Sequence, residues 1–200
     1  MSREAFTQAV PTFVSTVERI PADAWDKPGV GEWTVRDLTG HVSRAISTIE
    51  SYTATRSAKP ITGYNPGSLT DAAAHAALHK AVAERGREAG RALGEYPASA
   101  VRELAARVLA KLPTIDDDFP VETPFGVLSL CAYLPTRGVD LVVHTLDLGR
   151  AAGIAVEIPD ALLNETIASL GRNAVRQRNG IALIEALTGR APLPNGFSVV

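Results

Sequence analysis

The segment TRGVDLVVHTLDLGRAA, residues 136–152, constrains the fold more than any other. Its apolar residues recur at helical spacing, and on a helix residues three and four apart share a face. Arg137, Asp140, His144 and Asp147 therefore form one narrow polar stripe. Val139, Val143 and Leu146 flank it on one side, Leu141 and Leu148 on the other, and the small residues Gly138, Thr145 and Gly149 lie opposite. A surface helix normally shows a wide polar face. A narrow stripe between apolar shoulders instead predicts a helix covered on several sides, with its polar groups aimed into a bundle or cleft.

The rest of the chain supplies helices for such a bundle. Phe6, Val10, Phe13, Val14 and Val17 predict a first helix over Ser2 to Val17, with a kink expected at Pro11. Two prolines and two glycines mark residues 21–32 as a loop. The clearest helix follows Thr34, an N-cap with Asp37 at the capping-box position, and Val35, Leu38, Val42, Ala45, Ile46, Ile49 and Tyr52 form its apolar stripe. An Ala-rich helix is expected from Thr70 to about Tyr96, and another from Ser99 to Leu112. The segment FPVETPFGVLSL predicts a short hairpin, and Pro135 either starts the next helix or kinks one that begins near Ser129. Helices over Pro159–Arg178 and Ile181–Leu187 precede a turn-rich tail. The sum is an all-α fold, read as one domain over residues 1–200 with no second, C-terminal domain.

Composition removes several classes of function. A formal net charge of -2 leaves no electrostatic footprint for nucleic acid or an anionic membrane. The single cysteine, Cys131, excludes an intrachain disulfide and a cysteine-rich zinc site, which places the chain in a reducing, cytoplasmic setting. Among Leu130, Ala132 and Tyr133 it reads as a small core residue rather than a nucleophile. The opening MSREAFTQAV has no basic stretch leading into an apolar run, so no secretory signal is expected. Asp116 to Asp118 read as a solvated loop end.

The polar stripe has two readings. One is a partly solvated face with an Arg137–Asp140 ion pair. The other is a metal site, since Asp140 and His144 have carboxylate–imidazole spacing on one turn and a third ligand is available in His41, at the edge of the apolar stripe that follows Thr34. Two imidazoles and a carboxylate suit a divalent ion such as zinc or nickel better than magnesium or calcium. Arg137 and Asp147 then fall beside the ligands or in a substrate pocket, with Asp147 placed to orient an imidazole. His75 and His79 also stand four apart, but Ala76 occupies the place where a metalloprotease helix carries its glutamate.

Two motifs carry a family resemblance. EWTVRDLTGHVSRA and TRGVDLVVHTLDLGRAAG resemble the paired motifs of the mycothiol-dependent maleylpyruvate isomerase N-terminal domain family, within the DinB/YfiT-like superfamily of metal-dependent enzymes. TPFGVLSLCAYL and ALTGRAPLPNGFSVV are similar to its members as well. The resemblance implies a four-helix bundle with additional C-terminal helices and a divalent metal on His41, Asp140 and His144, with Asp140 where isomerase-type members carry Glu. It further implies mycothiol as co-substrate and a small electrophile as substrate, in S-transfer or isomerisation. The alternative class is a non-catalytic bundle that binds a partner or forms a homodimer around a structural or vestigial metal site.

Overall fold

In the computed structural model the backbone is described for residues 1–63 and 72–199, and the side chains for the same residues other than 72–76. Helix α1 spans Arg3–Glu18, with the Ser2 hydroxyl accepting from the Ala5 N–H. Pro11 lies inside α1 on its exposed side, and the helix runs through it, while Phe6, Val10, Phe13 and Val17 are buried. Helix α2, Val35–Tyr52, opens on a complete capping box: the Asp37 N–H donates to Thr34 Oγ1, and the Thr34 N–H to Asp37 Oδ2. Its expected stripe is buried from Val35 to Ile49, and Tyr52 packs against the core from its edge.

Helix α3 is Ala72–Ala92 and ends sooner than the spacing predicts, because Gly94 takes φ 68, a left-handed value that stops helices. Thr70, the expected cap, lies outside the described residues. Helix α4, Pro97–Lys111, starts two residues earlier than expected, with Pro97 in its first turn. Proline is favoured there because the first-turn N–H groups have no partner within the helix. A hairpin follows, β1 Pro120–Thr123 paired antiparallel with β2 Gly126–Ser129. Helix α5, Leu130–Ala152, begins next to Ser129 and contains Pro135 in its interior, so that proline does not start the helix. Helices α6, Asp160–Arg176, and α7, Gly180–Leu187, complete the fold.

The molecule is all-α apart from the hairpin, and α2 is its hub, packing on α3, α4 and α5. Helix α1 covers α4 and α5, α6 leans on α5 and α1, and α7 rests on α6. Two glycines set the closest approach. A Cβ added at Gly40 would collide with the backbone of Ala89 and Gly90, so α2 and α3 touch main chain to main chain. On α5, Gly138 receives the Met1 side chain, while Gly149 packs on Val156 and the Ile154 carbonyl, which is the returning loop rather than another helix.

Cys131 corrects one sequence reading. It is exposed, not a core residue. Leu130 and Leu134 carry the buried face of the first turn of α5, which turns Cys131 outward to within 3.2 Å of Ser129 Oγ. Asp116 to Asp118 are exposed as expected, and Asp117 pairs with Arg3 at 2.5 Å.

Candidate functional site

His41 projects from α2 next to the glycine that brings α2 against α3, so its surroundings are fixed by backbone packing. Trp33, in the loop before α2, lies over it with ring centroids 4.5 Å apart. The loop holds Trp33 through backbone bonds, with the Gly29 N–H donating to its carbonyl at 2.7 Å and its own N–H donating to Val30. Gly31 makes that turn possible at φ 60. The indole N–H donates to the Ala83 carbonyl of α3 at 3.0 Å, and the ring lies on Gly86, where a Cβ would stand 2.9 Å from it. Sequence reading gave Trp33 no role. Its signal is an aromatic eight residues ahead of His41 and a glycine opposite on an Ala-rich helix.

His144 comes to the same place from α5. The His41 and His144 rings are 5.0 Å apart, edge to face. Asp147, one turn on, lies with Oδ2 3.1 Å from His144 Nδ1. A carboxylate can only accept, so Nδ1 carries a proton and Nε2 is the nitrogen left to face a ligand. Arg150 donates to the other oxygen of Asp147 at 2.8 Å, which fixes the carboxylate in turn. This is the arrangement that orients metal-binding imidazoles in general.

The electrostatics favour the ligating form of His41. Burial, followed by the neighbouring His144 and the cations Arg137, Arg44 and Arg85, pushes its pKa down from 6.5 to about 3. The ring is therefore neutral at pH 7. It has no hydrogen-bond partner among the described residues, whereas no fully buried side-chain nitrogen or oxygen is left without one. A neutral imidazole without a hydrogen-bond partner among the described residues, beside a second imidazole whose Nδ1 is held by Asp147, fits a borderline divalent ion.

Asp140 is placed differently. Its Oδ2 lies 2.9 Å from Arg137 Nη1, the ion pair named in the solvated-face reading. Among the described residues no group of three or more His, Cys, Asp or Glu side chains is arranged to hold a metal ion. The structure thus draws His41 and His144 together, links Asp147 to His144, and pairs Asp140 with Arg137. The Arg137 guanidinium also lies 5.2 Å from the Tyr133 ring centre. Tyr133, a second residue without a role in the sequence reading, is buried, and its hydroxyl donates to Thr48 of α2 at 2.8 Å. Burial pushes the Tyr133 pKa up, so it stays a neutral donor and ties α5 to α2 beside the pair. His79 is exposed on α3, and the His75 side chain lies outside the described residues.

The family model described as the mycothiol maleylpyruvate isomerase N-terminal domain matches residues 6–149. That span includes both histidines, Trp33, Tyr133, Arg137, Asp140 and Asp147, ends one residue before Arg150, and leaves α6 and α7 outside. No curated protein and no solved structure matches the chain.

Proposed function

The chain belongs to the mycothiol maleylpyruvate isomerase N-terminal domain family, and from that premise we propose that it is a divalent-metal-dependent enzyme that uses a thiol of the mycothiol kind against small electrophiles. His41, His144 and Asp140 hold the metal, zinc or nickel by donor type. The observation that carries this reading is the pair of imidazoles brought to 5.0 Å from helices α2 and α5, one neutral by burial and the other oriented by Asp147. Such an ion supplies Lewis acidity that lowers the pKa of a thiol and leaves a nucleophilic thiolate at neutral pH.

The chain's own groups supply the rest. Burial keeps His41 deprotonated, so no proton competes for its lone pair over the physiological range. Asp147 fixes which nitrogen of His144 is free. Asp140 has to exchange Arg137 for the ion. Both partners of that pair are partly exposed, at 27% and 35%, and exposed pairs are worth only about 0–1 kcal/mol. That cost is small beside the roughly 10 kcal/mol available from binding a structural zinc ion. Once exchanged, Arg137 is a free cation beside the site and suits an anionic group on the substrate. The thiol gives its proton to solvent and its sulfur adds to the β-carbon of a conjugated electrophile as the C=C π bond breaks and its electron pair moves onto the carbonyl as an enolate. The enolate either takes a proton from solvent to give the thioether, or rotates about the new C–C single bond and expels the thiolate to give the isomerised alkene.

A second reading rests on the Arg137–Asp140 pair. If Asp140 stays on Arg137, the histidine pair is a buttress between α2 and α5 and the chain is a binding module. A turnover assay separates the two. Metal-loaded protein should consume mycothiol with a conjugated electrophile, or isomerise the electrophile's double bond in the presence of mycothiol, and Asp140→Ala should lower kcat/KM by at least about 100-fold, about 2.7 kcal/mol of transition-state stabilisation. Neither consumption nor isomerisation above the uncatalysed rate with either zinc or nickel would leave the binding-module reading.

A further inference from the structure

Helix α7 has the composition of a core helix and the environment of a surface one. Seven of its eight residues, GIALIEAL, are uncharged, and none is buried. Ile181, Ile184 and Leu187 are 75%, 63% and 73% exposed, and Val175 at the end of α6 adds 69%. Val175 stands against the start of α7, within 3.1 Å of where a Gly180 Cβ would be, so the face continues from one helix to the next. With Ile167 of α6 this is several hundred Å² of apolar surface, at or above the ~300–600 Å² reached by the largest patch of a typical monomer.

We propose that this face of α7 and the end of α6 is an isologous dimer interface that seats a second copy of the chain. Two observations select that occupant. The first is area: an apolar centre of this size with its polar rim approaches the ~800 Å² per partner of a stable interface. The second is charge. The rim carries Arg178 and Glu185, both exposed and neither in an ion pair within the described residues. A face that presents both signs complements itself under a two-fold axis, which pairs each charge twice. An anionic membrane or a nucleic acid would call for a rim of one sign. The interface lies outside the residues matched by the family model, so it belongs to this chain's extension and does not depend on the metal reading.

Sedimentation velocity from about 1 to about 100 μM tests the proposal on the whole chain, a range that brackets micromolar affinity. The wild type should move to twice the chain mass as concentration rises. Ile184→Asp should stay monomeric, with the dimer dissociation constant raised about 100-fold or more. Its side chain supports no core, so its thermal unfolding midpoint should match the wild type at concentrations where both are monomers. Glu185→Arg gives an independent arm on the rim and should weaken the dimer about tenfold, with Arg178→Glu in the same chain restoring it. A wild type that remains monomeric to about 100 μM overturns the proposal, as does a dimer that neither variant weakens.

Discussion

Helices α2 and α7 use apolar residues in opposite ways. Helix α2 is interspersed with charged and hydroxyl residues, yet Val35, Leu38, Val42, Ile46 and Ile49 are all buried against three neighbours. Helix α7 is the more apolar of the two, yet it touches α6 and buries nothing. Composition therefore decides little, and spacing and neighbours decide the outcome. The apolar residues of α2 recur at helical spacing, and α2 packs on α3, α4 and α5. Its remaining face is free to carry His41 to the α5 seam. Helix α7 has a face with no counterpart among the described residues.

This contrast can be broken by substitution. The largest effect should come at Leu38, fully buried at the centre of α2: Leu38→Ala should cost about 2–5 kcal/mol in chemical denaturation. A value below about 1 kcal/mol would mean that α2 is not the hub. Gly40→Ala should come next, at roughly 1–3 kcal/mol, since its methyl would meet the α3 backbone rather than a side chain able to move.

A pH series sharpens the comparison. The folded pKa of His41 is about 3, below the unfolded value of 6.5, so below about pH 6.5 the unfolded chain takes up a proton that the folded chain does not. The stability contribution is complete above that pH and is lost as pH falls toward about 3. In chelator-treated protein the loss from this group should approach about 1.4 kcal/mol per pH unit, and His41→Gln should remove that slope. The groups around it, Arg44, Arg85, Arg137 and His144, remain in both proteins. Parallel curves for the two would show that His41 is protonated in the fold. Thr34→Ala, which removes half of the capping box, should cost about 1 kcal/mol. Leu187→Ala on α7 should shift monomer stability by less than about 0.5 kcal/mol, measured at low protein concentration.

Much of this structure is legible in the sequence where the signal is local. Thr34 and Asp37 mark the start of α2 because a capping box is made within one turn. The period of residues 136–152 gives α5, and the turn residues around FPVETPFG give the hairpin. The pairing of α2 with α5 was legible only through the chemistry of His41 and His144. What local pattern does not carry is orientation. Cys131 lies among apolar neighbours in sequence, yet it is on the outward side of its turn. Trp33 is in a loop without periodicity, and its place over His41 depends on Gly86, fifty-three residues away and on another helix. Asp140 has an arginine and a histidine at equivalent helical distances, and spacing alone does not choose between them. In the structure it is on Arg137.

The most direct measurement is calorimetric titration of chelator-stripped protein with zinc or nickel at pH 7, comparing wild type with His41→Ala, His144→Ala and His79→Ala. One ion should bind per wild-type chain, with affinity reduced by at least about 100-fold in the first two variants and unchanged in the third. Equal binding by all four proteins, or binding lost only in His79→Ala, would contradict a metal centre between α2 and α5.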